Sequence, residues 1–501
     1  MSAIIRNIVS SAFLALLSMG ALAQNLATGE GLSWSVEMIG QGTSGDYMPF
    51  WSHVNKNGVL PMDSGGIMSG TVRYSRGMSK GWRFSAGGGL AGYFASKTPD
   101  HGVESCRNGY GMEWKGMVRE LYGTVGWRNL NLDLGVKERP VDFGGLSLSG
   151  GDISWSGNSR SVPGYLVHTD WMAVPKTRGV LSVRGDFGDF MMLDKRYVRH
   201  ALLHTSAAYL RLAPCGKFSF IAGLEVWSQW AGTSPAYGKL PHSFKDYLRV
   251  LTGASGGEDA SVSDQINVLG NSLGRELIRL DWKDEEWSVT FQHDIPFEDR
   301  SGMRFQNFPD GLNTVAFSFR DKDKWVSDIV LEYAFTKWQS GTRHDRPATD
   351  KELEKNPDKP TIIIGGCDNY FNNGEYRSGW TYHGRTVGLP LFTPMPENAD
   401  GLVLGVCNNR IEAWHLGLSG KVARKAPYKL LLTYTKNFGA YSQRLAIFND
   451  TPRQVSGALE VSLPRRIFRG TTGVTFGLYA DKGSLYQDNL GLSLRLNWGW
   501  N

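Results

Sequence analysis

Ten residues, Tyr376 to Arg385, hold six side chains of the kind that grip sugars: Tyr376, Arg377, Trp380, Tyr382, His383 and Arg385. Tyr and Trp offer rigid flat faces with a polar edge, and Arg offers a planar fork of donors that matches a carboxylate. The same side chains would serve equally to pack a long loop against a wall. Arg304, with Phe305 and Asn307, is a second and sparser set of this type. A different chemistry is conceivable at His293, Asp294, Glu298 and Asp299, since glycoside hydrolysis needs two carboxyls set across the sugar bond. These four follow directly on the apolar alternation of Val289 and Phe291, so a charged loop at a strand end accounts for them better. The chain has no HExxH motif, and a triad recognisable only by geometry stays open. Cys106, Cys215, Cys367 and Cys407 lie far apart and make no metal-ligand spacing. Cys367 and Cys407 bracket one polar insertion and would be the pair to bridge; free, partly buried thiols are the alternative.

What would position such residues is a set of strands with two unlike faces. Leu490, Leu492, Leu494, Leu496, Trp498 and Trp500 alternate with Gly491, Ser493, Arg495, Asn497, Gly499 and Asn501. A period of two, apolar against polar, suits a strand with lipid on one side and a wet lumen on the other. Leu130, Leu132, Leu134 and Val136 repeat the pattern after a turn at Trp127-Arg128-Asn129, as do Phe218 to Val226. Ile278, Leu280 and Trp282 lead into Lys283-Asp284-Glu285-Glu286 and return as Trp287, Val289 and Phe291; Val315 to Phe319 lead into Asp321-Lys322-Asp323-Lys324. Short charged turns with tryptophan at the margins predict antiparallel hairpins bounded by an aromatic girdle.

Arg6, the apolar run Ile8 to Leu17 and Ala21-Leu22-Ala23 read as an export signal cleaved before Gln24, so residues 1–23 are set aside and 24–501 form the mature unit. No other stretch approaches the ~20 apolar residues of a spanning helix. Any membrane insertion must then use strands. The 501-residue length, 62 glycines, 12% aromatics and mean hydropathy of −0.29 suit one large barrel, although a secreted β-sandwich enzyme could look similar. Loss of Arg6 lowers the formal charge from +6 to 6 − 1 = +5, compatible with anionic glycan or lipid headgroups and too small to point to nucleic acid.

Two regions break the alternation. Helical spacing appears at Tyr197, Val198, Ala201 and Leu202, again after a Ser243 cap at Phe244, Tyr247, Leu248 and Leu251, and over Val262 to Leu269, which predicts helical insertions near 196–273. Lipid-exposed irregular backbone is costly, so these are expected as a periplasmic plug or cap. Residues 339–401, rich in Pro, Asp, Lys and Gly, read as a long loop, either extracellular or folded into the lumen.

Several strings resemble the Wzi family of outer-membrane capsule-assembly proteins. They are Gly157-Asn158-Ser159-Arg160-Ser161-Val162-Pro163-Gly164-Tyr165, Asp194-Lys195-Arg196-Tyr197-Val198, and Gln292-His293-Asp294-Ile295-Pro296-Phe297-Glu298-Asp299 with Ser301 to Phe305 and Pro309 to Leu312. Asn372 to Tyr376, Gly379-Trp380, Tyr382 to Arg385 and Asn408-Asn409-Arg410 resemble the longer branch of that family. The resemblance implies an all-β fold, a large antiparallel transmembrane β-barrel of about 18 strands with a small helical plug or periplasmic helices. It implies a monomeric outer-membrane lectin that binds capsular or other surface polysaccharide, with outer-membrane lipids and the barrel-assembly machinery as its other partners, and neither enzyme activity nor a cofactor. The glycan itself does not transfer with the fold. A saccharide channel or porin is the alternative reading, and an outer-membrane hydrolase the third. The chain departs from the usual barrel-assembly signal by ending Trp498-Gly499-Trp500-Asn501 rather than on the aromatic.

Overall fold

The computed structural model describes residues 31–97, 111–258, 260–261, 264–265, 268–298, 307–339, 346–355, 362–363, 368–442, 445, 447–467, 470–486 and 488–500. The export signal, Cys106, Asp299, Arg304, Phe305 and Cys367 lie outside them.

Gly31–Thr43 pairs on one side with Gly65–Gly77 and on the other with Asn489–Trp500, every neighbour antiparallel, so the sheet closes on itself. Among the described residues that sheet counts 19 strands, of which the two-residue Met172–Ala173 continues Gly164–Thr169 along the same neighbour, Leu181–Met191. The wall therefore has eighteen positions. Closure leaves no unpaired edge, which a strand needs if it is to face hydrocarbon.

The alternation seen in the sequence is the division between outside and lumen. Leu490, Leu492 and Leu494 are exposed on the outer face, while Arg495 turns inward to within 3.8 Å of Glu37. In Leu130–Val136 the exposed residues Leu130 and Leu134 alternate with buried Asn131 and Asp133. Trp82 sits opposite Trp127 with ring centroids 6.2 Å apart, and Trp325 lies 6.2 Å from Tyr428. Both pairs adjoin short turns, as an interfacial girdle requires. The turns after Trp127, Cys215, Lys283 and Val422 take only two or three residues, at the end that also holds Gly31 and Trp500. Connections 44–64, 137–163, 231–270 and 336–410 all leave the opposite end. In outer-membrane barrels short turns face the periplasm and long loops the exterior.

Three of the long connections fold back and fill the lumen. Phe50, Trp51 and Val54 from the first, Leu146, Leu148 and Ile153 from the second, and Tyr370, Phe371, Trp380, Leu389 and Phe392 from the third form one core with the wall residues Leu203, Trp227, Leu273, Leu312, Ala413 and Leu431. Wall glycines let plug backbone come close: a Cβ at Gly417 would stand 2.3 Å from the Leu146 carbonyl. Helix plays a small part in this filling, a four-residue turn at Phe50–His53, and most of it is coil held by hydrogen bonds to the wall. Coil is tolerated at membrane depth because it lies against protein, not lipid.

Of the expected helices, Phe244–Thr252 forms as read: Ser243 and Asp246 make a reciprocal capping box and Gly253, at φ 59°, terminates it. It lies at the long-connection end and not at the periplasmic end, which corrects the expected placement. Tyr197 to Leu203 is not helical. Val198 and Ala201 are buried in a tight connection beside Tyr376, and Leu202 already begins a strand. Of 262–269, Asp264 and Gln265 have helical backbone and the rest is described only at 268–269. Of the long loop, residues 370–392 take the lumen-filling alternative, while 340–345, 356–361 and 364–367 lie outside the described residues. Cys407 is a buried free thiol whose Sγ donates to the Thr393 carbonyl at 3.3 Å, as in the free-thiol alternative; Cys367, its expected partner, lies outside the described residues.

Candidate surface-binding cleft

The residues read as sugar platforms do different work. Tyr376, Trp380 and Tyr382 are buried within the plug, and the Tyr376 hydroxyl donates to the Ala231 carbonyl at 3.1 Å. Arg377 stacks over the Tyr197 ring at 4.9 Å. Arg385 donates to the carbonyls of His53 at 3.0 Å and Leu60 at 2.7 Å, tying two plug segments together. Only His383 of the six is well exposed. Asn307 is buried and donates to the Pro296 carbonyl at 2.8 Å.

The supposed acid–base pair is also structural. His293 and Asp294 belong to the strand Trp287–Phe297 and not to a loop at its end. Asp294 is fully buried, 3.1 Å from Arg275, and that guanidinium also meets Glu225 at 3.2 Å and Asp152 at 3.5 Å. Arg275 further donates to the Gly151 carbonyl at 2.7 Å, so this cluster pins the second plug segment to the wall. Glu298 accepts from the Phe371 backbone at 2.8 Å and pins the third. Gly77-Met78-Ser79-Lys80-Gly81 has the spacing of a hydrolase nucleophile elbow, but it forms a tight turn between two strands, not the strand-to-helix turn that such an elbow requires.

His383 does open onto a cleft, at the exterior mouth above the plug. Its volume is about 190 Å³, and Lys115, Arg160, Asp194, Lys195, His383 and Glu397 line it together with Ser378 and Thr381. Each cation is placed by a different element: Lys115 by the upper end of strand Gly111–Trp127, Arg160 by the second plug segment, Lys195 by the connection after Leu181–Met191. Asp194 is already engaged, 3.1 Å from the buried Arg196 and accepting the His383 backbone N–H at 3.3 Å. The Lys195 ammonium donates to the Asp400 carbonyl.

The cations are left in electrostatic excess. Among the described residues no carboxylate lies within ion-pair distance of Lys115, Arg160 or Arg385. Burial and the neighbouring Arg160 push Arg385 down to about 10; for His383, exposed at the cleft mouth, partial desolvation of the ring by the cleft walls and the same Arg160 hold the imidazole below its usual range. His53, buried beside Arg385, is likewise held neutral. Three cations against the two carboxylates Asp194 and Glu397 leave the cleft with a net positive charge, which favours an incoming anion. Among the described residues no group of three metal-ligating side chains is present.

A solved structure of Wzi, an outer membrane protein involved in group 1 capsule assembly in Escherichia coli and described as a carbohydrate-binding β-barrel, matches 93% of this chain and 83% of its own, with a TM-score of 0.52 and 14% identity. This fold is an outer-membrane β-barrel. OccAB2 of Acinetobacter baumannii (TM-score 0.47, 6% identity, 94% of this chain and 98% of that one) and OccK7 of Pseudomonas aeruginosa (0.45, 8%, 94% and 98%) are also similar. No protein-family model and no curated protein matches. With its closed wall and outward apolar belt, the chain resides in the outer membrane.

Of the cleft residues only His383 was singled out from the sequence as a binding candidate, since the others are scattered from Lys115 to Glu397. A signal for part of the set existed: Arg160 lies within Gly157 to Tyr165, and Asp194 and Lys195 open Asp194 to Val198, two of the strings that resemble the Wzi family.

Proposed function

We propose that this barrel holds a surface polysaccharide at the cell exterior, binding it at the mouth cleft rather than passing it through the wall. The observation that carries the reading is the filled lumen. Side chains of three connections meet those of the wall with Tyr370, Phe371, Trp380, Val387 and Leu389 at or near zero exposure, which leaves little room for a solute path. A saccharide channel would need that path open. The cleft supports the binding half of the reading: its surplus cations suit carboxylate-bearing sugars, and a repeating polymer presents such groups many times, so weak contacts add up to retention. The carbohydrate binding described for Wzi is consistent with it. Under this reading the protein acts as a monomer without a cofactor, its partners being the polymer, the surrounding lipid and the assembly machinery that inserted it.

Binding of acidic polysaccharide, prepared from the protein's own cells, to the detergent-purified barrel tests the assignment. Charge-assisted contacts contribute roughly 1.5–3 kcal/mol each, so losing two of them in Lys115→Glu with Arg160→Glu is expected to weaken binding by about a hundredfold or more. Raising salt should weaken the wild type and leave the variant nearly unchanged. Equal affinities for the two proteins would remove the cleft from the account.

A further inference from the structure

The helix Phe244–Thr252 lies outside the barrel. Leu203 packs into the lumen core and Gln229 donates inward to the Gly379 carbonyl at 3.0 Å, so their neighbours His204 and Trp230 face outward. It is these outward residues that the helix covers. The Tyr247 ring stands 5.2 Å from Trp230 and 5.6 Å from His204, its hydroxyl donates to Asp189 at 2.8 Å, and Val250 is buried against the same patch. His204 and Asp189, 2.9 Å apart, would be costly polar groups on a lipid-facing wall, and the helix shields them there.

The far side of the helix is apolar and uncovered. Phe244 is 75% exposed and Leu248, one turn on, 46%. That face continues the lipid-facing belt: on the strands beneath, Phe187, Met191, Leu210 and Leu212 are exposed, and the Phe187 ring meets His204 at 4.9 Å. Lys245 flanks the apolar face, exposed and with no ion pair among the described residues, where a long side chain can reach lipid phosphates. We infer that Phe244–Thr252 is an interfacial helix seated in the outer leaflet of the membrane, with Phe244 and Leu248 in the boundary between acyl chains and headgroups. The exterior rim of the barrel is thereby fixed to lipid at one sector, independently of what the mouth cleft binds.

The test is photocrosslinking of the full chain in phosphatidylcholine vesicles with deuterated acyl chains. p-Benzoylphenylalanine would replace Leu248, Leu210 as a belt control, or Asp400 as a control at the mouth, each protein checked for the heat-modifiable migration of a folded barrel. Acyl crosslinks at position 248 are expected at a yield close to that at 210 and on the order of tenfold above that at 400. A yield at 248 no higher than at 400 overturns the inference, and so does crosslinking at 248 into a second copy of the chain. Should p-benzoylphenylalanine in place of Leu248 prevent folding, the same group in place of Phe244, whose side chain packs less, gives the reading with the same two outcomes.

Discussion

Replacing Arg275 with methionine is expected to destabilise the barrel by about 3–5 kcal/mol, the usual effect of removing one partner from a buried ion cluster. The guanidinium is the common partner of Glu225, Asp294 and Asp152, and with only Arg139 left beside them, 3.5 Å from Glu225, the three carboxylates cannot all remain ionised out of water. Part of the strain would be relieved by detaching the second plug segment, since Arg275 also holds the Gly151 carbonyl. Arg275→Lys keeps the charge and loses the fork, so it should fall between the two. Urea unfolding followed by the heat-modifiable gel shift measures both variants. Wild-type stability in Arg275→Met would mean that the cluster does not anchor the plug.

The second large effect concerns conductance. Under the proposed function, wild-type protein in planar bilayers should pass little current, because the packed side chains of the plug leave little room for ions. Replacing residues 368–408 with a short Gly/Ser linker takes away the largest plug contribution to that core, including Tyr370, Phe371, Trp380 and Phe392, and leaves every strand of the wall in place. The excised barrel is expected to conduct steadily, as open barrels of this strand number do. Steady wild-type conductance equal to that of the excised form would favour the channel reading. Trp380→Ala, which should cost about 3–5 kcal/mol at a fully buried site, would give a smaller and flickering version of the same change.

The wall was legible in the sequence because a lipid-facing strand obeys a local rule. Every second residue from Leu490 to Leu494 must be apolar, and the turn at Lys283 to Glu286 must be short and charged, whatever lies elsewhere. The plug obeys no such rule. Tyr376, Trp380 and Tyr382 have the composition of a sugar platform and also of a core that happens to be coil, and only contacts with Ala231, Leu203 and Trp227, far away in the chain, tell the two apart. For the same reason Asp294 looked like the end of a strand: its partner Arg275 lies on the neighbouring strand, and its burial comes from a segment more than a hundred residues earlier. The capped helix at Ser243 was visible, but its side of the wall was not, because the signals of an interfacial helix and of a plug helix are both amphipathic.

Retention of polymer at the cell surface is the property that the proposed function requires of this barrel. The decisive measurement is the ratio of cell-attached to shed polysaccharide, at equal total synthesis, in cells lacking the chain and carrying either the wild type or the Lys115→Glu, Arg160→Glu form. The wild type should restore attachment, and the variant, folded and inserted in equal amount, should leave the polymer largely shed. An unchanged ratio between cells with and without the chain would contradict the proposed function outright.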